Sequence, residues 1–227
     1  VRALISAGSK VTLVDIDEKS ASIVAKETGA RAVIGDVSDA IFCNQLTANT
    51  VADSGRIDIL VNCAGIIVRA DADDTTDKDW QRLFAVNVGG VFYMSRAAIG
   101  CMKRQKSGAI VNFGSIWGEV GATGVLAYCA SKGAVHQITR AMALDHVEDG
   151  IRINAVAPGE VNTPMLSFGR PTAPTPDELA ILARNTIPMK RLAEPGEIAE
   201  VVVFLASDAA SYVTGAIVPV DAGYTAR

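Results

Sequence analysis

The chain has 227 residues, enough for one large domain or two small ones and for a sizeable buried core. Apolar residues make up 49% and charged residues 20%, which excludes disordered and low-complexity classes. The formal net charge is −4 and no basic run occurs, so neither nucleic acid nor a membrane surface is expected as a partner.

The first eight residues read as the last turns of an amphipathic helix. Val1, Leu4 and Ile5 form an apolar stripe, and Gly8 fits the position after a helix C-terminus. Short apolar runs bounded by Gly, Asp or Asn then predict strands at Val11–Val14, Ala32–Ile34, Ile57–Asn62, Ala109–Phe113, Ile151–Ala157 and Ala216–Val220. Helices are expected between them at about 18–28, 38–54, 76–104, 126–149, 177–186 and 195–207. Regular βαβ alternation implies an α/β fold, a doubly wound parallel sheet flanked by helices, in a single domain over 1–227. The Pro-rich stretch 162–176 interrupts that alternation after a strand's carboxyl end, where open α/β sheets bind ligands, and suggests a cover over the substrate.

The longest apolar run, Val201–Ala206, is far short of the roughly 20 residues of a membrane span. With no signal peptide visible, a cytoplasmic location is expected. Cys43, Cys63, Cys101 and Cys129 are widely spaced and read as reduced, mostly packed thiols. Only two histidines are present, so no metal site is expected.

The sharpest chemical signal is Tyr128-Cys129-Ala130-Ser131-Lys132 at the start of a helix. Four residues apart, Tyr128 and Lys132 share a helix face. A free phenol has a pKa near 10, and a neighbouring ammonium favours the phenolate, moving it toward the working range of an acid–base catalyst. Thirteen residues upstream, Ser115 follows the strand 109–113 and can hydrogen-bond a substrate oxygen. A serine hydrolase built on Ser115 would need a Gly-x-Ser-x-Gly elbow and a late histidine, and has neither. Asp15 ends the strand 11–14, where the dinucleotide pattern puts an acidic residue on the adenosine ribose and against a 2′-phosphate.

Together with the Asn62-Cys63-Ala64-Gly65 turn, the helical Asn87, Pro158-Gly159-x-Val161-x-Thr163 and the C-terminal run from Phe204 to Tyr224, this set resembles the short-chain dehydrogenase/reductase family over essentially the whole chain. The resemblance implies an oxidoreductase that moves a hydride between NAD and a secondary alcohol or ketone, with NAD preferred to NADP because of Asp15. It assigns the acid–base role to Tyr128 and the tuning of Tyr128 and hold on the nicotinamide ribose to Lys132. Ser115 would polarise the carbonyl, and Asn87 would hold a relay water. The adenosine ribose would lie against Asn62, Ala64 and Gly65, and the adenine against Asp36 and Val37. The nicotinamide would lie against Pro158, Gly159, Val161 and Thr163. A homotetramer or homodimer, paired through the two long helices, is also implied.

The family's opening strand and Thr-Gly-x-x-x-Gly-x-Gly turn, which cradle a pyrophosphate, have no counterpart here; about twenty residues are expected to be missing before Val1, and dinucleotide binding by this segment alone to be weak. Gly114-Ser115-Ile116-Trp117-Gly118 imitates that turn, but Val120 stands where its last glycine belongs. A non-catalytic protein of the same fold, or an inactive fragment, is the alternative. Cys63 reads as packing, and His136 and His146 as structural or subunit contacts. Trp117, Met165, Leu166 and Phe168 suggest an apolar or mixed substrate wall without an arginine cluster.

Overall fold

A computed structural model describes residues 1–226. In chain order they form α1 (Arg2–Ser6), β1 (Thr12–Asp15), α2 (Glu18–Thr28), β2 (Arg31–Ile34), α3 (Ala40–Ser54) and β3 (Ile59–Asn62). Then come α4 (Asp77–Phe84), a π-helical turn (Ala85–Gly89), α5 (Gly90–Gln105), β4 (Gly108–Phe113) and α6 (Leu126–His146). The chain closes with β5 (Ile151–Pro158), α7 (Pro176–Thr186), α8 (Pro195–Ala206) and β6 (Ile217–Val220). Each expected strand forms within two residues of its predicted ends.

All pairings are parallel, but the strands fall into two groups. β1 pairs with β2, and β3, β4, β5 and β6 follow one another in a four-stranded sheet. Among the described residues no ladder joins β1 to β3.

Successive strand residues point to opposite faces, and both faces of the larger sheet are covered. Ile110 packs with Ile99, Met102, Ala143 and Ile153 under α5 and α6. Its neighbour Val111 packs with Val156, Val202 and Leu205 under α8. Burying each such branched side chain contributes roughly 1.5–3 kcal/mol, which is why β4 and β5 read as unbroken apolar runs.

The expected helix 76–104 is one continuous rod with a defect. Thr76 caps it by accepting from the Asp79 backbone N–H, with Asp77 and Asp79 in the favourable first turn. It runs into the π-helical turn and on through α5. Contrary to the sequence expectation, the rod from Asp77 to Gln105 has the length and composition of a membrane span. Leu83, Val91, Ser95, Ala98 and Met102 are buried along it, so one of its faces belongs to the core of the fold.

Candidate active site

The carboxyl ends of β3, β4 and β5 converge on the first turns of α6. Beyond β4 the ladder continues, with the Gly114 N–H donating to the Val156 carbonyl at 2.8 Å. This delivers Ser115 to the sheet edge, where its Oγ caps a short 3₁₀ turn (Ile116–Gly118) by accepting from the Trp117 N–H at 3.2 Å. The same hydroxyl hydrogen-bonds the phenol of Tyr128. Tyr128 is buried among Ile67, Leu83, Val125 and Ala127, with the Trp117 ring edge-on at 6.1 Å.

Lys132 is buried one turn along α6. Its Nζ lies 5.5 Å from the Tyr128 ring centroid and donates to the Phe113 carbonyl at 2.7 Å. Burial lowers its pKa to about 8, although nearby Cys63 pulls the other way. Burial also raises Tyr128 to about 12, with the Ser115 hydrogen bond opposing. The expected lowering of the phenol by Lys132 is thus outweighed by desolvation in this state.

Asn87 sits in the π-helical turn and is 1% exposed. One inserted residue widens a helix locally, a feature often found at functional sites. Its Oδ1 accepts from the Ile66 N–H at 2.8 Å, and its Nδ2 donates to the Ile66 carbonyl and to Ser131 Oγ. Ser131 Oγ in turn donates to the Tyr128 carbonyl. Asn87 therefore clamps the loop after β3 to the helix that carries Tyr128. A Cβ at Gly65 would stand 3.6 Å from Lys132 Nζ, so the bare backbone leaves the approach to that ammonium open.

Asn62 turns inward. Its Nδ2 donates to Ser95 Oγ and Asn112 Oδ1, and Asn112 Nδ2 donates to Thr139 Oγ1. This buried polar ladder ties β3 and β4 to α5 and α6 behind the site. Cys63 and Ala64 follow it as exposed residues, so Cys63 is not the packed side chain expected from sequence.

On the β5 side, the Gly159 N–H donates to the Val220 carbonyl, and a Cβ there would sit 3.0 Å from Asp221 Cα. Pro158 ends β5, Val161 bridges to Ala193, and Thr163 Oγ1 lies on the Val161 carbonyl at 3.4 Å. The stretch from 162 carries a 3₁₀ turn (Pro164–Leu166) whose Met165 joins the cluster around Tyr128. Here the expectation of an uncharged wall fails. Arg69 donates to the Phe168 carbonyl at 2.8 Å and lies on Gly169, while Arg170 donates to the Leu166 carbonyl at 2.9 Å. Beside them burial raises the carboxyl of Glu160, against the pull of Arg69 and Arg170. The charges of Glu160 and Arg69 both reach the Tyr128 phenol. Arg69 sits nearly a hundred residues from its carbonyl partners, and no local pattern announces that contact.

Asp15 lies exposed at the end of β1, with Oδ1 accepting from the Asp17 N–H. Asp36 accepts from the Ser38 N–H and hydroxyl, and Val37 packs against Gly90. These three stand on the β1–β2 side. His146 pairs with Asp149 at 3.0 Å, apart from the catalytic cluster. His136 faces the back of Ser115, which the sequence reading missed.

A family model described as "Enoyl-(Acyl carrier protein) reductase" matches residues 1–225. The chain is 43% identical over 229 residues to a galactitol 2-dehydrogenase (L-tagatose-forming) from Cereibacter sphaeroides, covering 99% of this chain and 88% of that protein. It is 41% identical to a meso-2,3-butanediol dehydrogenase from Serratia marcescens, covering 96% and 86%. Among solved structures, a gluconate 5-dehydrogenase from Burkholderia cenocepacia J2315 in complex with NADP and tartrate superposes with a TM-score of 0.91 at 31% identity, covering 100% of this chain and 89% of that one.

Proposed function

The chain belongs to the short-chain dehydrogenase/reductase family, whose relatives oxidise CH–OH groups, and we propose that it is a nicotinamide-dependent dehydrogenase of a secondary alcohol carrying further hydroxyls. The observation that carries this reading is the hydrogen bond between Ser115 and Tyr128 above a buried Lys132.

The residues fit a dinucleotide at its two ribose ends. Lys132 is reachable past Gly65, and Asp15 presents a carboxylate oxygen left free by its turn. Among the described residues no glycine-rich helix start supplies a pyrophosphate cradle between them. The bound nicotinamide would accept or supply the hydride. Ser115 holds the substrate oxygen, and Tyr128 Oη takes or gives its proton. Lys132, with its pKa near 8, is an ammonium over most of the neutral range and favours the phenolate once substrate and cofactor replace water. Asn87 fixes the loop and helix that bracket Lys132. Pro158, Gly159, Val161 and Thr163 line the nicotinamide side; Asn62, Ala64, Gly65, Asp36 and Val37 line the adenosine side.

Asp15 favours NAD over NADP, because a carboxylate repels a 2′-phosphate. Arg69, Arg170 and Glu160 give the pocket wall hydrogen-bonding capacity suited to a polyol or vicinal diol. The exposed faces of α5 and α6, including Phe92, Leu126 and Leu144, support pairing of subunits into a homotetramer or homodimer. The test is steady-state reduction of NAD and NADP by the complete gene product with galactitol, 2,3-butanediol, cyclopentanol and a primary alcohol. Turnover of the polyol or diol with NAD is expected; no turnover of any secondary alcohol refutes the reading.

A further inference from the structure

His136 lies two turns beyond Tyr128 on α6 and is 1% exposed, and no step of the proposed proton transfer uses it. Its Nε2 accepts from the backbone N–H of Ser115 at 3.4 Å. Its Nδ1 has no hydrogen-bond partner and faces Glu119 Oε1 at 3.6 Å. The ring fills a slot that two glycines leave open. A Cβ at Gly114 would fall 2.2 Å from Nε2, and one at Gly118 would fall 2.7 Å from Cε1. The glycines that imitate a phosphate-binding turn are there to admit an imidazole.

We propose that His136 is a positioning residue for Ser115: as the neutral Nδ1–H tautomer it holds the turn Gly114–Gly118 so that the serine hydroxyl faces Tyr128. The kinetic consequence rests on the dehydrogenase reading; the hydrogen bond itself does not.

A ring nitrogen accepts only when it carries no proton, so a hydrogen bond from Ser115 N–H requires the proton to sit on Nδ1. The Glu119 carboxylate opposite Nδ1 favours that placement. Burial disfavours the imidazolium and lowers the pKa from 6.5; Glu119 opposes this, and Arg140 and Lys132 assist it. Those are the charged groups facing the ring, from the turn after the 3₁₀ segment and from α6 itself. From β5, the Val156 carbonyl lies against Gly114. The order Glu119–His136–Ser115 is not a nucleophile-activating triad, because the histidine bonds the serine backbone. The hydroxyl stays with Trp117 N–H and Tyr128. Protonation of Nε2 would set one N–H against another and release the turn.

The experiment pairs ¹⁵N NMR of the imidazole with kinetics of His136→Leu and His136→Gln in the complete gene product. Wild type should show the Nδ1–H tautomer at neutral pH. His136→Leu should lower kcat about tenfold to a hundredfold with little change in the KM for dinucleotide, since a small misplacement of a reacting group costs that much. His136→Gln, whose Oε1 can replace Nε2 as acceptor, should recover most of kcat. It should also lack the acid-side fall of kcat that wild type shows below about pH 6.5. An Nε2–H tautomer, a His136→Leu variant with wild-type kcat, or a Gln variant as impaired as the Leu variant overturns the proposal. If His136→Leu shows no cooperative melt, the Gln variant and the tautomer decide. A wild type that oxidises no alcohol but carries the Nδ1–H tautomer overturns the dehydrogenase reading and supports the His136–Ser115 hydrogen bond.

Discussion

Replacing Tyr128 with Phe removes one oxygen and leaves the ring. The ring is where the packing lies: Tyr128 is buried against Ile67, Leu83 and Val125, with Trp117 edge-on at 6.1 Å. Those contacts survive the substitution. The lost hydrogen bond is the one to Ser115, whose Oγ keeps the Trp117 N–H as donor, so no buried hydroxyl is stranded. The stability cost should therefore be that of one ordinary neutral hydrogen bond, about 0.5–1.5 kcal/mol. The phenyl ring also no longer has to hold a buried hydroxyl, which reduces that cost. The rate is a different matter, because proton transfer by a placed side chain contributes roughly 10²–10⁴-fold, or about 3–5 kcal/mol of barrier. Urea unfolding and steady-state kinetics on the same preparation separate the two effects. The expected outcome is a nearly unchanged midpoint, unchanged KM for dinucleotide and a kcat reduced at least a hundredfold. A Phe variant within tenfold of wild-type kcat would refute the acid–base assignment. A large fall in stability with kcat preserved per folded molecule would make Tyr128 a packing residue.

Lys132 titrates near 8 in the folded protein against its ordinary 10.5, so between those values the unfolded chain binds more protons and stability rises with pH. Wild type should accordingly gain stability relative to Lys132→Met from pH 8 to 10, and a flat difference in unfolding free energy across that range would sink the assignment of its burial. Asp15→Ala should narrow the preference for NAD over NADP in kcat/KM; a wild type that favours NADP contradicts the role given to that carboxylate. Gly118→Ala places a Cβ 2.7 Å from His136 and 2.8 Å from the Lys132 backbone, and should cost about 1–3 kcal/mol with loss of turnover. An alanine variant as stable and active as wild type would show that the slot is not tight. Sedimentation of the intact protein should find a dimer or tetramer, and a stable monomer contradicts the pairing proposed for α5 and α6.

The strands and helices were readable from the chain because their causes are local. Short apolar runs ended by Gly, Asp or Asn gave β1 to β6, and Thr76 and Pro195 marked where helices begin. Tyr128 and Lys132 were readable for the same reason: four residues on a helix make a shared face whatever else the fold does. Other features depend on residues far apart in the chain meeting across packed elements. The π-helical turn at Asn87 answers to the loop at Ile66, and the Asn62–Asn112–Thr139 ladder spans three elements. Arg69 reaches the carbonyls of 165–168, which turns a wall expected to be apolar into a charged one. His136, eight positions past Tyr128, was too far along the helix to touch the same atom, and its contact with Ser115 exists only because β4 and α6 pack with two glycines between them. Periodicity sets which face of an element is apolar; which buried polar groups find each other is decided only when the faces close, since each must then be satisfied by whatever the packing brings within reach.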